Sequence, residues 1–187
     1  MSAKLRMELP KETPHIFDWL SKGQFLNSHS ANEDQERYYS VLEEHFERYH
    51  SYFKQIGFEL EKGKNYFYLS RKEAKSNLED KLQKLSRYID ILDFCLDVDP
   101  FFGTGSRLKL EGWGVKISED ILLKRKLRKL ESRGDHETEK LKRILDLMCK
   151  DVFLEVENEQ EKIYRVLPAI QYLKNLIEQI KPEENHP

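Results

Sequence analysis

Two thiols, six imidazoles and one glycine-bearing loop are the places where this 187-residue chain offers reactive groups. Cys95 and Cys149 lie far apart in helix-like patterns, which points to buried free thiols rather than a disulfide or a nucleophile. The histidines are His15, His29, His45, His50, His136 and His186. His45 and His50 are five apart, off the spacing that puts two imidazoles on one helix face. No cysteine pair lies beside them, so no zinc site is expected. GTGS (103–106) has the amides of an anion nest but not the strand–GxxxxGK(S/T)–helix frame of a phosphate loop, so it reads as a connection. A pocket gathering His15, Asp18 and Cys95 would be needed to revive catalysis, and nothing in spacing supports one. The expectation is a protein that is not an enzyme and needs no cofactor or metal.

Charge and aromatic placement say more. The net charge is −2, so the chain as a whole is not a polycation. Residues 33–61 carry eight acids against three bases. A helix and ribbon built from them would be repelled by phosphates. Residues 121–150 carry ten bases against five acids. Lys124, Arg125, Arg128, Lys129, Arg133, Lys140 and Arg143 are the candidate DNA-binding residues, through non-specific backbone contact; the competing reading is a solvated face paired to Glu131, Asp135 and Glu139. Tyr39, Tyr52, Tyr66 and Tyr68 fall off the apolar faces of their elements. They are the candidate partner-binding residues, because a rigid ring with a hydroxyl suits a protein interface. The competing reading is that a neighbouring element covers them.

The elements that must position these groups follow from periodicity. PHIFDWLSKG reads as a short helix with Thr13 as cap and Pro14 in its first position. From Asp34 to Gln55 the stripe Tyr38, Leu42, Phe46, Tyr49, Phe53 predicts one long helix, stopped by Gly57. FELEKGKNYFYL (58–69) reads as a hairpin about a Lys62-Gly63 turn, with Phe58, Leu60, Phe67 and Leu69 on one face and Tyr66 and Tyr68 on the other. A helix follows over 77–97. FFGTGSRLKLEGWG (101–114) reads as a loop and boundary. Next come a helix from about 118 with Ser118 as cap, a helix over 137–150, a hairpin over 152–167 and a final helix from Pro168.

Helix, hairpin, helix thus occurs twice. The fold class expected is mainly α with two short β-hairpins (α+β), as tandem winged-helix domains. The domains expected are 14–100 and 101–181, with 1–13 and 182–187 as flexible tails. No apolar run reaches membrane-spanning length and the N-terminus lacks a signal-like apolar middle, so a cytoplasmic location is expected.

The run IFDWLSKGQFLNSH, then YFKQIGFELEKGKNYFYLSRKE with its aromatic strand YFYLSR (66–71), resembles the MukE/MksE group. These are accessory subunits of bacterial condensin-type chromosome complexes. The basic helix ILLKRKLRKLES (121–132) and the closing hairpin fit the group's second half. The similarity spans residues 14–167 and is most distinctive over 16–73. It implies tandem winged helices in a homodimer bound to a kleisin subunit, within a complex that includes an SMC-type ATPase. It implies a nucleoid-associated role in holding DNA, with no hydrolysis by the subunit itself. The alternatives from sequence are the equivalent subunit of a plasmid-defence complex and a free-standing winged-helix regulator.

Overall fold

The computed structural model describes residues 9–71 and 75–180. It is mainly helical with two small antiparallel sheets of three strands each. The chain divides into two compact units at residues 72/73. Among the described residues no helix is long and apolar enough to cross a membrane. The expected tails 1–13 and 182–187 lie largely outside the described residues.

The first unit holds α1 (Thr13–Ser21), β1 (Leu26–Asn27), α2 (Glu33–Glu44), α3 (Phe46–Gln55), β2 (Glu59–Gly63) and β3 (Tyr66–Ser70). α1 has Pro14 in its first turn, but Thr13 does not cap it. Its hydroxyl donates to the Pro10 carbonyl (2.6 Å) and lies 2.9 Å from the Tyr49 hydroxyl instead. The single helix expected over 34–55 is two helices meeting at His45, whose backbone (φ −114°) leaves the helical region. The stripe survives the break: Tyr38 and Leu42 on α2 and Tyr49 and Phe53 on α3 are all buried in one core with Ile16, Leu20, Leu26, Leu60 and Phe67.

The hairpin turns at Lys64-Asn65, not at Lys62-Gly63. Asn65 takes the left-handed conformation (φ 69°) that asparagine tolerates, and Gly63 stays in the strand opposite Tyr66. The register therefore moves by four residues, with Leu60 opposite Leu69 and Lys62 opposite Phe67. Four is an even slip, so each side chain keeps its expected face. The strand missing from the sequence reading is β1. It is two residues long and pairs with β3 (Leu26↔Phe67, Asn27↔Tyr66), giving the order β1-β3-β2.

The second unit holds α4 (Lys75–Val98), β4 (Arg107–Lys109), α5 (Leu110–Glu119), α6 (Ile121–Leu130), α7 (Glu137–Lys150), β5 (Leu154–Asn158), β6 (Ile163–Val166) and α8 (Ile170–Ile180). α4 falls here, not in a first domain ending at residue 100. Its bonds explain why: the Tyr88 hydroxyl donates to Asp151 after α7 (2.5 Å), and Lys126 on α6 donates to Asp93 (2.8 Å). The expected loop 101–114 contains β4 and the start of α5. Phe102 anchors it, buried against Trp113. Ser118 lies inside α5. Asp120 caps the next helix, its carboxylate accepting from the amides of Leu122 (2.7 Å) and Leu123 (3.1 Å). The second sheet repeats the first: β4 and β5 flank β6, with Leu108 and Val156 opposite Tyr164.

Gly63 marks the tightest packing of the first sheet. A methyl group there would overlap the Tyr66 ring, which lies across the glycine and is itself wedged by Phe25 and Tyr68. Gly63→Ala is expected to cost about 1–3 kcal/mol through overpacking. Urea unfolding measures it; an unchanged midpoint would mean that the ring yields freely.

Candidate partner and nucleic-acid surfaces

The seven cations read from sequence as DNA-binding candidates stand in different settings. Arg128 on α6 reaches across to Glu137 at the start of α7 (2.8 Å). Arg143 pairs with Glu139 one turn back (2.9 Å). Arg133 lies on Glu131 through Nε (2.9 Å) and Nη2 (3.0 Å), a forked pair. Lys140 is buried and donates to the Gly134 carbonyl. Lys126, outside the seven, is held by Asp93 and Asp97. Lys124, Arg125 and Lys129 make no ion pair among the described residues. Of the seven, the three without an ion-pair or hydrogen-bond partner among the described residues all lie on α6; Arg128, Arg133 and Arg143 are paired with carboxylates and Lys140 is held by a carbonyl.

Glu131 is the group most shaped by its surroundings. It is 4% exposed. Hydrogen bonds from the Arg133 guanidinium and then from the Arg133 amide hold its carboxyl down at about 2, against the burial that raises it. The pair fastens the turn between α6 and α7 rather than offering charge to a ligand.

The four tyrosines divide as well. Tyr39 is 6% exposed and belongs to the first core, packed on Phe67 with its hydroxyl donating to Glu43 (3.3 Å). Burial, then the Glu43 charge, push its hydroxyl up to about 12. Tyr66 is 3% exposed, edge-on to Phe25. These two are not surface residues. Tyr39 lies in the core that its helix stripe was expected to leave it out of, whereas Tyr66 takes the expected side of the ribbon and is covered there by Phe25, which precedes β1. Tyr52, against Phe53, and Tyr68, beside Tyr66 and Phe25, are half-buried.

The groups considered for catalysis lie in ordinary settings. His15 stacks on Tyr38, Asp18 pairs with Lys22, and His50 meets Glu59 (2.7 Å). Cys95 and Cys149 are free thiols. Burial pushes Cys95 up and raises Cys149 to about 12, so both stay protonated and poorly nucleophilic at neutral pH. Among the described residues no group of three or more His, Cys, Asp or Glu side chains could hold a metal ion. A cavity of about 760 Å³ opens between α5, the start of α7 and the β5–β6 turn, lined by Leu110, Val115, His136, Thr138 and Lys162 among others. It holds no nucleophile paired with a base.

Two features were missed from sequence. Phe101 stands almost fully exposed beside buried Phe102. Ile121 and Leu122 are exposed at the head of α6. The helix wheel offered a signal for the second, because it sets both on the side away from Leu127 wherever the helix is taken to start.

A family model described as condensin complex protein MksE matches residues 11–177. No curated protein matches the chain.

Tyr66→Ala removes a buried ring and is expected to cost about 3 kcal/mol in thermal or urea unfolding. Tyr68→Ala should cost about 1 kcal/mol or less; equal costs would contradict the burial difference. The depressed Glu131 carboxyl contributes stability that is complete above its ordinary value of 4.5 and is lost as pH falls through about 2. The stability gap between wild type and Glu131→Gln should therefore narrow as pH falls between those values. A gap independent of pH would remove the charge from the account.

Proposed function

The chain belongs to the MksE family of condensin complex proteins, and from that membership we propose that it is the accessory subunit that binds the kleisin of an SMC-type complex and helps hold DNA within it. The match over residues 11–177 carries this reading, because it spans both structural units. Three further observations support it.

The first is topology. In each unit a short strand, then helices, then a two-stranded ribbon fold into a sheet whose last strand lies in the middle. That is the plan of a winged helix, and tandem winged helices are our reading of the fold. The second is charge. The first unit exposes Glu33, Asp34 and Glu36 at the head of α2 and Glu43 and Glu44 at its end, a surface suited to polypeptide and hostile to phosphate. The third is the cation census of the second unit, where Lys124, Arg125 and Lys129 remain available for backbone phosphates. The subunit then works through surfaces, as a cytoplasmic, nucleoid-associated homodimer without catalysis of its own. Tyr52 and Tyr68 are our remaining candidates for the kleisin face of the first unit.

Co-purification with a kleisin and an SMC-type ATPase from the cells that make it tests the assignment; a chain that associates with neither refutes it. On random-sequence duplex, changing Lys124, Arg125 and Lys129 together to Glu should abolish binding. Neutralising them one at a time should lower the log–log salt slope by about 0.9 for each phosphate no longer engaged. Arg128→Gln and Arg143→Gln, whose charges are already paired, should change it little. Equal losses from paired and unpaired cations would place the phosphate-binding face elsewhere.

A further inference from the structure

On α6, Ile121, Arg125 and Lys129 recur every fourth residue and so form one outward stripe, with Leu122 beside it. Ile121 is 81% exposed and Leu122 61%. The helix behind them is firmly held. Leu127 is buried on its inner face, and Lys126 is fixed by Asp93 and Asp97. Asp120 caps the first turn, and Arg128 reaches Glu137 at the flank. A partner meeting this stripe would therefore order little of the protein on docking.

The composition of the stripe discriminates between partners. Phosphates are met by point charges and hydrogen bonds, and a sugar–phosphate backbone offers only the small C–H faces of its sugars to two neighbouring aliphatic side chains. A purely phosphate-binding helix would gain little from Ile121 and Leu122 at its head. Two apolar side chains running into two cations are the complement of a segment that carries apolar residues and carboxylates together. Among the described residues the two cations have no acid partner, and the aliphatics are left uncovered.

We propose that this face of α6 is a dock for an acidic, apolar-bearing polypeptide segment of another subunit of the complex. Ile121 and Leu122 seat its apolar side chains, and Arg125 and Lys129 meet its carboxylates. Because Arg125 and Lys129 are also among the cations assigned to duplex, the docked segment and DNA exclude each other there. Occupancy of the dock then sets when the second unit is free to touch DNA. The inference rests on the reading of the chain as a subunit that binds partner polypeptides.

The test compares two surface variants of the full chain, I121S/L122S and R125E/K129E, each checked for an unchanged melting temperature. The probes are the purified kleisin–SMC assembly lacking this subunit, a random-sequence duplex and vesicles of anionic phospholipid. The aliphatic variant should lose about tenfold in affinity for the assembly and keep its duplex affinity. The charge variant should lose both. An aliphatic variant that binds the assembly as wild type does overturns the dock. So does one whose only loss is in duplex binding, vesicle binding or self-association. Wild type failing to bind the assembly at all would instead sink the parent assignment, which separates the two failures.

Discussion

A ribbon of two strands is barely stable in water, and both units of this protein are arranged around that fact. Phe67 shows the solution. It sits on the middle strand of the first sheet, between Leu26 and Lys62, fully buried against Tyr39 and Phe46. Tyr164 holds the corresponding place in the second sheet, between Leu108 and Val156, and is likewise buried. In each case a strand of two or three residues, contributed from before the helices, closes the ribbon's inner edge. That short strand ties the ribbon to the start of its unit and makes the helices between them a covering layer. The break at His45 belongs to the same constraint, since Tyr38 and Leu42 on one side and Tyr49 and Phe53 on the other must all reach one core.

The second constraint is electrostatic. A run of cations in a sequence is a stock of charge, not a surface. In the second unit α6 and α7 lie side by side, so Arg128 finds Glu137, and the turn between them is locked by Glu131 and Arg133. An ion pair with an exposed arginine, such as Arg128 with Glu137, stabilises little. Its effect is on availability: a guanidinium already forked onto a carboxylate has less to gain from a phosphate. What remains outside is set by the helix wheel of α6, whose inner side is taken up by Leu127. Arg125 and Lys129 fall close together on the side away from it, with Lys124 at the flank.

How much of this was legible follows from the range of each interaction. Periodicity is local, so the existence of α1, α7, both hairpins and α8 could be read from residue spacing, and so could the faces of the first ribbon. Its register could not. Both Lys62-Gly63 and Lys64-Asn65 are plausible turns, and only packing puts Gly63 beneath Tyr66. β1 and β4 were invisible because two or three residues give no period; they are strands only by virtue of a partner some forty to sixty residues away. The cap at Asp120 was legible in principle, since aspartate before an apolar run is a standard start signal, but Ser118 competed with it. The burial of Tyr39 and Tyr66 and the pairing of Arg128 escaped the sequence for one reason. Exposure and pairing are settled between elements, and a single element's pattern says only which side a residue takes.

That limit bears on function directly. A protein that acts by holding other molecules has no reacting atoms whose spacing could announce it, so its activity resides in what folding leaves over. Acids on α2, three cations on α6 and two uncovered aliphatics beside them are among the residues left outside the cores of the two units. Burial of Ile121 and Leu122 elsewhere would each contribute about 1.5–3 kcal/mol, so leaving both in water is a standing cost unless a partner recovers it. The cations carry no such cost, because water solvates them well. The aliphatics are therefore the more informative half of the stripe, and they turn an ambiguous basic helix into one whose complement includes side chains that DNA does not have.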